Sequence, residues 1–201
     1  MKSNFLKLSL LALVIFTASC SNDDNNDATV VAETQTVSNL SAPQTGGQGS
    51  AASGAFTKFS FSENAVVTTD KWDIAFRGTT IIVNGGAKIG ITDEPERTGQ
   101  AAVSVVSGTF AGVTAIPDAA TFKQDAATVY AFPSWYDYNS STHIITAKAG
   151  NVFVVKTHDG KYAKFEILSY YKDAPATPVS TDESRYYTFN FAYQGNSNTT
   201  F

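Results

Sequence analysis

The chain has 201 residues, 14 basic against 18 acidic side chains, and a formal net charge of −4. No cluster of Lys and Arg breaks this balance, which excludes nucleic acid as a partner, because a phosphate backbone needs grouped cations to release its counterions. The single cysteine excludes an internal disulfide, so stability has to come from a buried core.

In chain order, Met1, Lys2 and Lys7 supply positive charge ahead of an apolar run from Leu8 to Phe16. That run is too short for the roughly 20 residues needed to span a bilayer, so it reads as a secretory signal. It ends in "TASC", Thr17 to Cys20, small residues before a cysteine, as a lipoprotein signal peptidase requires. Cys20 is the expected lipidated first residue of an envelope protein, and the signal occupies residues 1–19. The next stretch, "SNDDNND" from Ser21 to Asp27, has nothing apolar to bury. It reads either as a plain linker or as an acidic surface-export signal that places the protein on the outer face of the outer membrane. "ATVVAETQTV", Ala28 to Val37, could form one strand, and "SAPQTGGQGSAASG", Ser41 to Gly54, is Gly/Ser-rich without periodicity. The expected tether is therefore 20–50, with one domain over 51–201.

From Phe56 onward the apolar period is two. "KWDIAFRG" predicts Trp72, Ile74 and Phe76 on one face of a strand and Asp73, Ala75 and Arg77 on the other. Asp73 and Arg77 are about 13 Å apart along a strand, so each must pair across the sheet or face water. "GGAKIG", Gly85 to Gly90, lacks a phosphate-loop pattern and reads as a turn, and "DEPER", Asp93 to Arg97, reads as a solvated turn rather than a calcium loop. "NVFVVKTHDGKYAKFEILSYY", Asn151 to Tyr171, is two β-rich arms about Asp159-Gly160, a type I′ hairpin signal. "SRYYTFNFAY", Ser184 to Tyr193, alternates again, and no window carries a capped amphipathic helix. The fold class expected is all-β, mostly antiparallel, as a sandwich or curled sheet.

Catalytic constellations are missing from the sequence: it has no nucleophile elbow, no H-E-x-x-H and no Cys/His metal spacing, so an enzyme is not expected. "FPSWYDYNSSTHIIT", Phe132 to Thr146, stands out by crowding Phe132, Trp135, Tyr136 and Tyr138 ahead of His143. Such rings either stack on a flat apolar ligand or seal the edge of the core. Under period two His143 shares a face with Ile145, which reads as a buried strand residue bonded to backbone.

Taken together, "KFSFSENAVV", "KWDIAFRGTTIIVNGG", "SWYDYNSSTHIIT", "VFVVKTHDGKYAKFEILSYYKD" and "YYTFNFAY" resemble, in order, the HmuY family of haem-binding lipoproteins over about 130 residues, Phe56 to Tyr193. The resemblance implies an all-β domain on a lipid anchor that takes up haem and passes it to an outer-membrane receptor. It places one iron-ligand position near Ser140 or Ser141, with His143 just beyond, and another between Gly108 and Phe132, where this chain has neither His nor Met. The candidate haem contacts are His143, Tyr136, Tyr138 and Trp135, with His143 as candidate iron ligand and a tyrosine oxygen as candidate partner opposite it. His158, at the hairpin tip, is expected to be an exposed turn residue. The alternative is a HmuY-like surface scaffold that binds a non-haem small molecule or a partner protein without iron ligation.

Overall fold

In this computed structural model the structure describes residues 32–47 and 49–201, so the expected signal and Cys20 lie outside the described residues. Thirteen strands follow in order: β1 Thr34–Ser41, β2 Thr45–Gly47, β3 Ser50–Ser53, β4 Thr57–Ser60, β5 Ala65–Val66, β6 Ile74–Arg77 and β7 Thr80–Val83. Then come β8 Ala102–Ser107, β9 Tyr136–Asn139, β10 Ile144–Ala147, β11 Asn151–Lys156, β12 Tyr162–Tyr171 and β13 Ser184–Gln194. One 3₁₀ turn, Ala119–Thr121, is the only helical element among the described residues.

The strands form a five-stranded antiparallel sheet, β1-β13-β12-β11-β8, and a four-stranded antiparallel sheet, β5-β4-β6-β7. Both contribute to one aromatic core. Phe59 and Phe76 of the smaller sheet meet Phe189, Phe191 and Tyr187 of the larger one at ring-centroid distances of 4.7 to 5.9 Å. Most of these pairs are edge-on or tilted, the arrangements that a ring quadrupole favours. The all-β expectation holds, and two small hairpins, β2–β3 and β9–β10, stand apart from both sheets.

Several expectations change here. The sheet reaches back to Thr34, because β1 pairs with β13 from Thr34↔Ala192 to Ser41↔Tyr186, so the tether expected through residue 50 is shorter and the domain starts earlier than Ala51. The Gly/Ser-rich stretch is itself a hairpin, closed by a Thr45–Ser53 hydroxyl bond of 2.8 Å. Trp72 does not share a cluster with Ile74 and Phe76. It packs with Phe56, Val67, Ala75, Ile82 and Ile89, while Ile74 and Phe76 enter the main core. β6 is thus buried on both faces, where alternation had predicted one wet face.

Asp73 and Arg77 are consequently buried too. The Asp73 carboxylate accepts from the backbone N–H of Phe61 at 2.7 Å. Arg77 stacks its guanidinium 4.3 Å from the Phe56 ring centroid and donates to the carbonyls of Gly54 and Thr92. The "DEPER" segment is no solvated turn. Glu94 accepts from the N–H groups of Ile89, Gly90 and Ile91, and Arg97 bridges Glu94 and Asp125 with side chains at most 2% exposed. The outer face of the larger sheet is covered in the same way. Lys164 there is buried against Phe110 and Phe201 and donates to the carbonyls of Phe110 and Val113.

The Asp159-Gly160 hairpin forms, with Thr157 accepting from Gly160 N–H at 3.0 Å. Only Gly160 has positive φ (+79°), so the tip is a three-residue loop ending in a left-handed glycine rather than the two-residue type I′ turn expected.

Candidate functional site

The aromatic segment divides. Trp135 is 3% exposed, donates its indole N–H to Thr79 C=O at 2.9 Å, and packs on Tyr136, Tyr170 and Tyr187. Phe132 is buried against Phe153 and Phe165. Trp135 is therefore packed into the core, with its N–H already bonded, and it also borders the cleft beside Tyr136. Tyr136 is half-buried on Trp135, and its cleft of about 250 Å³ also involves Thr79, Tyr130 and Pro133.

Beyond Trp135 the chain leaves the core as the β9–β10 hairpin. Its register pairs Tyr138 with Ile145 and Asn139 with Ile144, and Asn139 caps the tip through the N–H groups of Ser141 and Thr142. Ile144, Ile145 and Ala147 are partly buried against the main core, and Ile145 N–H donates to the Tyr171 hydroxyl at 3.0 Å. His143 ends the tip in the left-handed region, at φ +58°, and is exposed. Its Nδ1 lies 2.6 Å from the hydroxyl of Tyr138, which is 54% exposed. His143 is thus no buried strand residue bonded to backbone, and the free edge of its ring is Nε2.

His143 lines a groove of about 560 Å³ with Ile144, Thr146, Pro178, Val179 and Ser180. Val179 is 51% exposed, an apolar side chain held out in a polar segment and anchored by its N–H to Asp182 at 2.8 Å. On its other side His143 borders a second cleft, of about 210 Å³, which it shares with Tyr170, Tyr171, Asp182 and Arg185. Reading the sequence missed the 178–185 wall. The isolated Pro-Val pair in "APATPVSTDES" was its only local signal.

The second histidine is elsewhere. His158 donates its backbone N–H to Asp73 Oδ1 at 2.7 Å, and its Nδ1 lies 2.8 Å from the same oxygen. Its side chain is 17% exposed and that of Asp73 is fully buried, which corrects the expected exposed turn residue. Burial pushes the Asp73 carboxyl up, opposed by hydrogen bonds from His158 and Phe61. Among the described residues no group of three or more His, Cys, Asp or Glu could hold a metal ion unaided.

The HmuY protein family matches residues 52–191 of this chain. Among solved structures, the apo HmuY analog of Tannerella forsythia is similar at 15% identity and TM-score 0.52, covering 83% of this chain and 97% of that one. A candidate lipoprotein of Bacteroides fragilis is similar at 13% identity and TM-score 0.51, covering 85% and 95%. A candidate HmuY-like heme-binding protein of Bacteroides vulgatus follows at 14% identity and TM-score 0.47, covering 82% and 93%. No curated protein matches. The two likenesses above a TM-score of 0.5 speak for the fold, and with the family match extending over well more than half of the sequence, the chain belongs to the HmuY family.

Proposed function

We propose that this chain is a haem-binding lipoprotein, anchored through Cys20 to the outer membrane at the cell surface, that captures haem for an outer-membrane receptor. The observation that carries the reading is the exposed His143 imidazole, oriented by Tyr138 at the lip of an apolar groove. Haem would supply the iron and the flat apolar ring. Ile144, Pro178 and Val179 offer the apolar wall, and His143 offers the nitrogen.

A nitrogen that binds iron must present a lone pair, so Nδ1 carries the proton and donates it to the Tyr138 oxygen, leaving Nε2 free. Tyr138 would then orient His143 rather than hold the iron itself, since its oxygen is bonded to Nδ1. His158 is held by Asp73 through its Nδ1 and backbone and is not among the residues that line the clefts around His143. With His143 as the one nitrogen these residues would offer the iron, a high-spin ferric spectrum is expected rather than the low-spin spectrum of two histidines.

The test is a haemin titration of the domain followed in the Soret region, with the parent and His143→Ala compared. A saturable Soret shift in the parent that is lost in the variant supports the reading. A parent that gives no saturable shift would overturn it and leave the scaffold alternative.

A further inference from the structure

Arg185 is the one arginine in the clefts around His143. Arg97 is paired to two carboxylates, whereas Arg185, like Arg77 and Lys164, takes part in no ion pair among the described residues. It donates Nη1–H to Gln44 C=O at 2.7 Å and bonds to the Tyr170 hydroxyl, which leaves donors of its guanidinium fork unused. Its backbone is left-handed, at φ +70°, without the local side-chain bond that lets Asn or Asp tolerate that region. Such strain persists where the surrounding structure holds it and concentrates at ligand sites. Arg185 also lines a second cleft, of about 450 Å³, with Gln44, Gly46, Gly47, Gly78, Thr79 and Tyr170.

The cleft that joins Arg185 to His143 contains one acid, Asp182, whose Oδ2 is occupied by the Val179 N–H. A half-buried guanidinium with spare donors is suited to a planar, bidentate oxyanion. The Tyr170 oxygen accepts from the guanidinium, and its own O–H remains a second donor. Burial pushes that hydroxyl up to about 12, so it stays protonated at neutral pH.

We propose that Arg185, with the Tyr170 hydroxyl beside it, is the recognition point for a carboxylate on the ligand that His143 meets. The inference rests on the haem reading, and the carboxylate is then a propionate of the porphyrin. The ligand is read from two sides: its metal by His143 and its acid by Arg185. Asp182 works against the acid, and this like charge gives the proposal a sign that can be checked.

The experiment compares haemin with its dimethyl ester, which keeps the iron and the ring but has no ionised carboxylate, on the unaltered domain. Haemin is expected to bind about ten- to a hundredfold more tightly than the ester, with the difference shrinking as salt is added. In Arg185→Gln haemin should fall to the level of the ester, and in Asp182→Asn it should bind more tightly than in the parent. Equal affinity of the parent for haemin and ester overturns this inference and leaves the haem reading standing, as does an Arg185→Gln variant that keeps the preference. A parent that binds neither ligand overturns both. Should Arg185→Gln fail to fold, the ester comparison on the unaltered chain decides alone.

Discussion

The two histidines of the chain sit in opposite kinds of surroundings, and the contrast separates what holds this protein together from what it can offer a ligand. His158 docks through backbone and ring onto the fully buried carboxylate of Asp73, which also holds the Phe61 N–H. Around it Asn84 takes the carbonyls of Asp70 and Trp72 and caps the N–H groups of Thr98 and Gly99, so loops far apart in sequence are tied to one another. His143 instead bonds to an exposed phenol at the tip of a hairpin outside both sheets. A polar group tied through ring and backbone to a buried carboxylate is structural. One with a free edge toward an apolar groove is available.

The sharpest way to break this contrast is to remove the acid from the buried side. Asp73→Ala leaves the N–H groups of Phe61 and His158 without their acceptor and His158 without its partner, and it should cost about 3–5 kcal/mol in urea unfolding. His143→Ala should change stability by no more than about 0.5 kcal/mol, since its side chain is exposed and bonded only to another exposed one. Equal costs for the two variants would show that the hairpin tip is as structural as the Asp73 site.

On the ligand side the order reverses. His143→Ala should weaken haemin binding on the order of 100-fold, equivalent to about 2.7 kcal/mol, and shift the Soret maximum. Tyr138→Phe keeps the ring and removes the oxygen that fixes the imidazole, so a loss of about tenfold is expected with the spectral type unchanged. A Tyr138→Phe protein that lost the iron ligation band altogether would make the phenol a ligand and not a positioning group. Asp73 variants that still fold should bind haemin as the parent does.

The strand framework was readable because period two and Asp-Gly are local signals, and the paired arms of β11 and β12 follow from them directly. β1 was readable only as a possible strand ending at Val37, and its place in the sheet was not. It is an edge strand of mostly exposed and half-exposed residues, and a register shift between Val37 and Leu40, with Asn39 at φ +58°, interrupts it before Ser41. The face assigned to Trp72 failed because covering loops bury both sides of β6, and alternation cannot report a second covered face. His143 and Tyr138 were readable as a cluster since only five residues separate them. Arg185 and Val179 were not, because their nearness to His143 is made by tertiary packing alone. For the same reason the docking of His158 on Asp73, 85 residues earlier, left no trace beyond the polarity of both side chains.

The smallest expected effect concerns acid titration next to His158. Burial alone would raise the Asp159 carboxyl, but hydrogen bonds from the Thr157 and Tyr193 hydroxyls outweigh it and hold it below its ordinary 3.8. The folded state therefore binds that proton less readily than the unfolded chain does. Its contribution to stability is complete above the ordinary value and disappears as pH falls through the lower, folded one. Because Asp159 is exposed, solvent screening limits the contribution to a few tenths of a kcal/mol. Urea midpoints taken from neutral pH down to about pH 3 should fall slightly more steeply for the parent than for Asp159→Asn, with haemin affinity at neutral pH the same for both. Identical acid limbs would remove Asp159 from the bonding around His158. A change in haemin affinity would join the two regions that the structure keeps chemically separate.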